Sequence, residues 1–241
     1  MSSAVYSPQL HEHIVKYLAT SVGRDRIHRF VQYFSRFLVW HGQRNGYEKE
    51  TLQRLTNLMN NLGSTRKLMR VGRQFEFIRT IQKAASMKDD VARITITVKN
   101  VFLALWLLCD SCSWANSAGV IKFDNIKEIS RRGQKAWLVA LIASLLNNLH
   151  KLRLNTQRIE QETKAVHAAK TKGVDELSSV AQLKTLRSER TKLAVAAVAD
   201  SLDIMIPASG LDLIPIESGI VGLIGATTAI IGGVNQWNAT A

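Results

Sequence analysis

No lysine or arginine occurs in the last 49 residues, Leu193 to Ala241, although the chain carries 32 basic residues in all. Of its 19 acidic residues, four lie in that tail and the rest precede it. A strongly basic body is therefore joined to a weakly acidic, apolar end. Within the tail, Ser218–Trp237 (SGIVGLIGATTAIIGGVNQW) runs for 20 residues without a charge. An α-helix of about 20 residues covers roughly 30 Å, the thickness of a bilayer's hydrocarbon core. In lipid a segment must satisfy its own backbone polar groups, so such a run is helical. The distribution of charge and apolarity predicts a protein that lives at a membrane.

The hydrophobic fraction, 46%, is ordinary for a globular protein, so only the arrangement along the chain carries the membrane signal. Three prolines leave little to interrupt helices, and no stretch alternates as a strand would. The fold class predicted is all-α, a membrane-associated helical protein with N-terminal amphipathic helices and a C-terminal transmembrane helix. A net charge of +13 admits two partner classes, nucleic acid and anionic phospholipid. None of the standard nucleic-acid modules is present, which leaves an anionic phospholipid membrane as the expected partner and no nucleic acid. Cys109 and Cys112 form a CxxC inside an apolar stretch with no second ligand pair, which argues against zinc. Residues 1–20 do not read as a secretory signal, and Ala-Thr-Ala at the end is no peroxisomal tripeptide, so targeting is expected to be internal.

Apolar residues from Ile14 to Leu38 recur at spacings of three, four and seven, predicting a helix over about Ser7–Trp40 with an interruption near Gly23. His41–Gly46 reads as a loop and Glu48–Leu62 as a second helix. Ser64–Ala84 follows as an amphipathic segment. On a wheel at about 100° per residue, Leu68, Val71, Phe75 and Ile78 share an arc of ~80°, and Arg66, Arg70 and Arg73 an arc of ~60° opposite. No acid compensates the basic face, which also holds Lys67, between Ser64 and Gln74. An apolar stripe opposed by cations suits a helix lying in a membrane interface. The alternative is a surface helix of a soluble bundle.

Val91–Ile121 holds a second apolar stretch, and a span there would have to accommodate Lys99 and Asp110. Ala136–Leu146 is too short to cross and reads as a buried or re-entrant helix. Residues 151–192 are polar and basic, with the weakest periodicity at Ala165–Asp175, a candidate flexible loop. Pro207 and Pro215 bracket an expected break before the last run. There Ser218, Gly222 and Ala226 fall at i, i+4 and i+8, as do Gly225, Ala229 and Gly233. Small residues so spaced let two helix backbones approach closely in lipid, although glycine and alanine are common there in any case. The organisation expected is an amphipathic cytosolic region (1–90), a hydrophobic helical region with a first membrane segment (91–150), a polar basic region (151–192) and a C-terminal membrane region (193–241).

No catalytic constellation emerges. His11 and His13 are too close for the zinc-protease spacing, and the glycines of Ser218–Trp237 follow no strand. There is no phosphate-binding loop and no nucleophile elbow. Asp200 and Asp203 share a helix face, where pairing with Lys192 or a neighbouring helix is expected. Neither a cofactor nor enzymatic activity is expected.

The block from Gly23 to Arg36 (GRDRIHRFVQYFSR) resembles the N-terminal signature of the peroxin-eleven family of peroxisomal membrane proteins, through Gly23, Arg24, Asp25, Arg29, Gln32, Tyr33, Ser35 and Arg36. Ser64-Thr-Arg66-Lys67 with Arg70 is similar to its second block, and Asp200-x-x-Asp203-x-x-x-Pro207 with Gln236-Trp237 to its fungal members. The resemblance implies localisation to the peroxisomal membrane and a role in elongating it before fission, by insertion of the amphipathic helix into the cytosolic leaflet. It also implies a homo-oligomer that works with a dynamin-related GTPase and that enzyme's membrane adaptor. The alternative function is a solute pore of oligomerised C-terminal helices. The family's usual two-span topology puts residues between about 118 and 218 in the matrix. Lys122–Lys192 carries 15 basic against 7 acidic residues, whereas basic loops ordinarily stay cytosolic.

Overall fold

The computed structural model describes residues 8–172 and 177–241. These form eight helices and, among the described residues, no strand. They are α1 (Pro8–Ala19), α2 (Ser21–Arg44), α3 (Lys49–Met69), α4 (Gln74–Ala85), α5 (Asp90–Ser117), α6 (Ile126–Lys172), α7 (Leu177–Gly210) and α8 (Ser218–Thr240).

Local chemistry sets the boundaries. The first helical stretch breaks at Thr20, whose Oγ1 accepts the Gly23 N–H at 3.0 Å as the N-cap of α2. A Cβ on Gly23 would collide with the Tyr17 carbonyl, so the tight entry needs glycine. The expected loop at His41–Gly46 begins only at Asn45, since α2 continues through Arg44 and turns at Gly46 with φ of 71°. The helix expected over Glu48–Leu62 runs on to Met69. Asp89 caps α5, accepting from the Ala92 N–H at 3.0 Å and contacting His150 Nε2 at 2.8 Å. The Ala92 N–H, then His150, hold that carboxyl below the usual carboxylate range. α7 does not stop at Pro207; the proline sits inside the helix, removing the donor for the Asp203 carbonyl, and the break follows Gly210. Ala165–Lys172, where periodicity is weak, continues α6; the remainder of that candidate loop lies outside the described residues.

The long helices pack antiparallel in chain order. Trp106 of α5 stacks on Trp137 of α6 at 5.1 Å between centroids, and Lys99 donates to Ser144 at 2.9 Å. Asp200 of α7 accepts from Ser144 at 2.6 Å and Asn148 at 2.7 Å on α6. α7 and α8 meet around Ile206, Val221 and Ile224, with Tyr33 of α2 and Trp137 of α6 against the same cluster. At 47 residues α6 is about 70 Å long, more than twice a hydrocarbon core. Ala136–Leu146 is thus the middle of a continuous helix, and the polar half of α6 runs on beside the start of α7, where Asn155 donates to Glu189 at 3.4 Å.

Polar and charged groups sit inside a mostly apolar core, and apolar stripes face outward. Buried side chains include Asp25, Arg29, Ser35, Arg66, Asn100, Ser144, Asn147 and Thr228. Exposed ones form apolar stripes: Ile94, Val101, Leu105 and Leu108 on α5; Val139, Ile142, Leu146 and Leu149 on α6; Ile220, Leu223, Ile230 and Val234 on α8. Each stripe repeats at three, four or seven residues, one continuous helix face. Water would not tolerate so much contiguous apolar surface on a monomer. Among the described residues three helices, α5, α7 and α8, are long and apolar enough to cross a membrane.

Candidate membrane-remodelling site

The segment from Ser64 to Ala84 is not one helix. α3 ends at Met69, the chain turns through residues 70–73 with Gly72 at φ 89°, and α4 starts at Gln74. That backbone conformation favours glycine, and it defeats a wheel that carries a single phase through the whole segment. The four apolar residues nevertheless all lie on the outside: Leu68, Val71 and Ile78 are about half exposed and Phe75 is 76% exposed. The opposite side of α4 is internal. Ala84 is fully buried, and Phe77 lines a cavity against α5 and α6.

The basic residues do not all oppose that stripe as headgroup ligands would. Arg66 is buried, donating from Nε to Asp25 at 2.9 Å and from Nη1 to Gln32 at 2.7 Å. Arg70 donates to Asp110 at 2.6 Å and lies 4.7 Å over the Trp106 ring. These two arginines are turned inward because α2 and α5 each place a carboxylate within reach of α3 and the turn that follows it, so their reading as part of a headgroup-binding basic face is corrected. Lys67 stays nearer the surface, with Nζ 4.0 Å from Asp110, and Arg73 reaches Glu76 on the exposed side at 3.4 Å.

The three sequence blocks that carried the family resemblance come together. Asp25 and Gln32 of the first hold Arg66 of the second. Arg29 donates to Asp203 of the third at 2.6 Å, and Thr228 on α8 completes a triangle, donating to Asp203 at 2.6 Å and accepting from Arg29 at 2.9 Å. Asp203 thus pairs with a neighbouring helix and not with Lys192. Tyr33 packs on Gly225, Arg36 donates to Ser218 at 2.9 Å, Ser35 is buried, and Arg24 is exposed.

The small-residue face of α8 is occupied by α2 of the same chain. Gly222, Gly225, Ala226 and Ala229 are buried. A Cβ on Gly222 would lie 2.7 Å from the Phe37 nitrogen and 2.8 Å from the Tyr33 carbonyl oxygen, so the two backbones are nearly in contact. Ser218 is exposed apart from its bond to Arg36, and Gly233 sits at the margin near Tyr17. Sequence reasoning missed Asp110 as the internal partner of Arg70. The signal available was a carboxylate in an apolar helix, which needs a cation.

Among the described residues no group of three His, Cys, Asp or Glu side chains is placed to hold a metal, and Cys109 and Cys112 are free thiols.

Residues 11–237 match the family described as Peroxisomal biogenesis factor 11 (PEX11). The chain is 24% identical to Peroxisomal biogenesis factor 11 of Schizosaccharomyces pombe, with 98% of each chain covered. It is also 24% identical to Peroxisomal membrane protein PMP30B of Candida boidinii, covering 98% of this chain and 97% of that one. With human Peroxisomal membrane protein 11B it shares 26% identity over 90% of this chain and 93% of the other. No solved structure matches it. The outward apolar stripes, the three membrane-length helices and these full-length similarities agree: the chain belongs to the peroxisomal biogenesis factor 11 family and is a peroxisomal membrane protein with a role in peroxisome biogenesis.

Proposed function

We propose that this protein elongates the peroxisomal membrane by wedging the α3–α4 junction into the cytosolic leaflet, and so promotes fission and proliferation. The observation that carries this reading is the outward placement of Leu68, Val71, Phe75 and Ile78 around a turn whose inner side is pinned to α2 and α5. Fully burying a side chain of this size is worth about 1.5–3 kcal/mol, so four half-exposed ones give about 3–6 kcal/mol on insertion. Lys67 and Arg73 flank the apolar residues and are the cations nearest anionic headgroups, each worth about 1 kcal/mol near such a surface. The apolar side chains sink about 5–10 Å into the headgroup–acyl boundary. Filling one leaflet and not the other favours positive curvature. Because the junction is anchored to the bundle, its insertion deforms the membrane where the protein stands.

Self-association would concentrate such wedges, and a dynamin-related GTPase with its membrane adaptor would act on the narrowed tubule. The alternative, a solute pore of oligomerised C-terminal helices, is weaker because α2 already covers the glycine face that would join them.

In cells lacking their own family members, the chain is expected to lengthen peroxisomes, and Phe75→Glu to reach the organelle without lengthening it. Equal elongation by both would overturn the wedge.

A further inference from the structure

Between α2, α3, α5 and α6 lies a partly open cavity of about 470 Å³. Six basic side chains line it, Arg26, Arg29, Arg66, Lys67, Arg70 and Arg73, against two acidic ones, Asp25 and Asp110. Three of the cations are answered: Arg66 by Asp25, Arg70 by Asp110, and Arg29 by Asp203. Arg73 turns to Glu76, and Lys67 only approaches a carboxylate that Arg70 already holds. Arg26 makes no hydrogen bond or ion pair among the described residues, and its Nε is buried. The Nε of Arg29 is likewise buried without an acceptor, on a side chain more than nine-tenths buried.

A guanidinium removed from water without a counter-charge costs several kcal/mol, so a fold seldom keeps one idle. Here the guanidinium of Arg26, without a carboxylate of its own, lies beside an excess of positive charge in one partly open space. A planar guanidinium matches tetrahedral phosphate oxygens as forked donors, and phosphate brings up to two negative charges to a site short of them. The volume lies in the range of small-ligand pockets, about 300–1,000 Å³.

We propose that this cavity binds a phosphate group, gripped by Arg26 and Arg29 with Lys67 alongside. The phosphate arrives either as the headgroup of an anionic lipid or as a free, soluble phosphate. The site adjoins the apolar wedge, since Lys67 and Arg73 at the α3–α4 junction line it, while its principal ligands Arg26 and Arg29 lie on α2.

The test is thermal unfolding of the full chain, purified in non-ionic detergent without phosphate. It is titrated with inorganic phosphate against sodium chloride at matched ionic strength, and with short-chain phosphatidic acid against short-chain phosphatidylcholine. Phosphate, phosphatidic acid or both raise the unfolding temperature where the matched controls do not. Stabilisation by inorganic phosphate assigns a soluble ligand, and stabilisation by the lipid alone assigns a headgroup. Arg26→Gln weakens the apparent affinity about tenfold or more, the worth of one charge-assisted hydrogen bond. Arg26→Lys weakens it less, and Lys122→Gln, on an exposed loop, leaves it unchanged. Absence of stabilisation by either anion in the unmutated chain overturns the site, with no variant needed. Equal affinity in Arg26→Gln and the unmutated chain overturns the assignment as well.

Discussion

Asp25 and Arg66 stand 41 residues apart in sequence and meet at 2.9 Å, both almost wholly buried. Breaking such a pair by removing one partner strands a charge, a loss of about 3–5 kcal/mol, whereas replacing both restores much of it. Arg66→Met should therefore lower the unfolding temperature of the detergent-purified chain sharply. Asp25→Asn combined with Arg66→Met should recover most of the difference. A double variant as unstable as the single one would show that the pair is not the unit. Both residues stood out in the sequence as parts of recurring blocks, yet their pairing was illegible there, since periodicity couples residues three and four apart and no more. The same limit misplaced Arg66 and Arg70. The wheel set them opposite the apolar stripe but carried no information about the carboxylates that α2 and α5 bring to that side.

At the scale of elements, long uniform helices were legible and their ends were not. The apolar run of Ser218–Trp237 became α8 almost residue for residue, because an uncharged run of that length has one solution in lipid. The small-residue spacing located the close-packing face, and only the fold shows that α2 fills it. A valine at Gly222 meets the backbone of α2 at Tyr33 and Phe37 and has no side chain to push away, so Gly222→Val should cost about 1–3 kcal/mol or more. Thr227→Val, on the exposed side of the same helix, should leave the unfolding temperature nearly unchanged. Equal effects of the two would argue against the α2–α8 contact. By contrast the amphipathic segment was read as one helix because its hydrophobic pattern stays in phase across Gly72. A single residue at positive φ divides it while leaving Leu68, Val71, Phe75 and Ile78 outside.

For the whole molecule, the antiparallel registers of α5 to α8 set which ends lie together. Asp89 meets His150, Asn155 meets Glu189, and Asp200 meets Asn148, so the polar hairpin of α6 and α7 projects from the end that also holds the start of α5 and the end of α8. The loops after Ser117 and Gly210 lie at the other end, where Phe123 donates to Asn116 and Ser209 to Ile216. The basic residues from Lys151 onward thus fall on the same side as the C-terminus, while the α3–α4 junction, held to Asp110 and Ser111, lies toward the opposite end. Cysteines introduced at Lys164 and at Ala241 should therefore show the same accessibility to an impermeant thiol reagent on intact peroxisomes, and one at Lys122 the opposite. Protection of position 164 beside a reactive position 241 would refute the arrangement. Global composition gave no hint of this topology; it follows from contacts between helices far apart in the chain.

The central claim is that the outward apolar residues of the α3–α4 junction bend the membrane, and the full chain tests it best, since the turn depends on Asp25 and Asp110 outside the segment. Purified protein reconstituted into vesicles rich in anionic phospholipid, and into neutral ones, would be imaged by electron microscopy beside Phe75→Glu, with co-flotation verifying equal insertion. The account predicts tubules from the unmutated chain on anionic vesicles and spheres from the inserted variant. Tubules of equal abundance from both would contradict it.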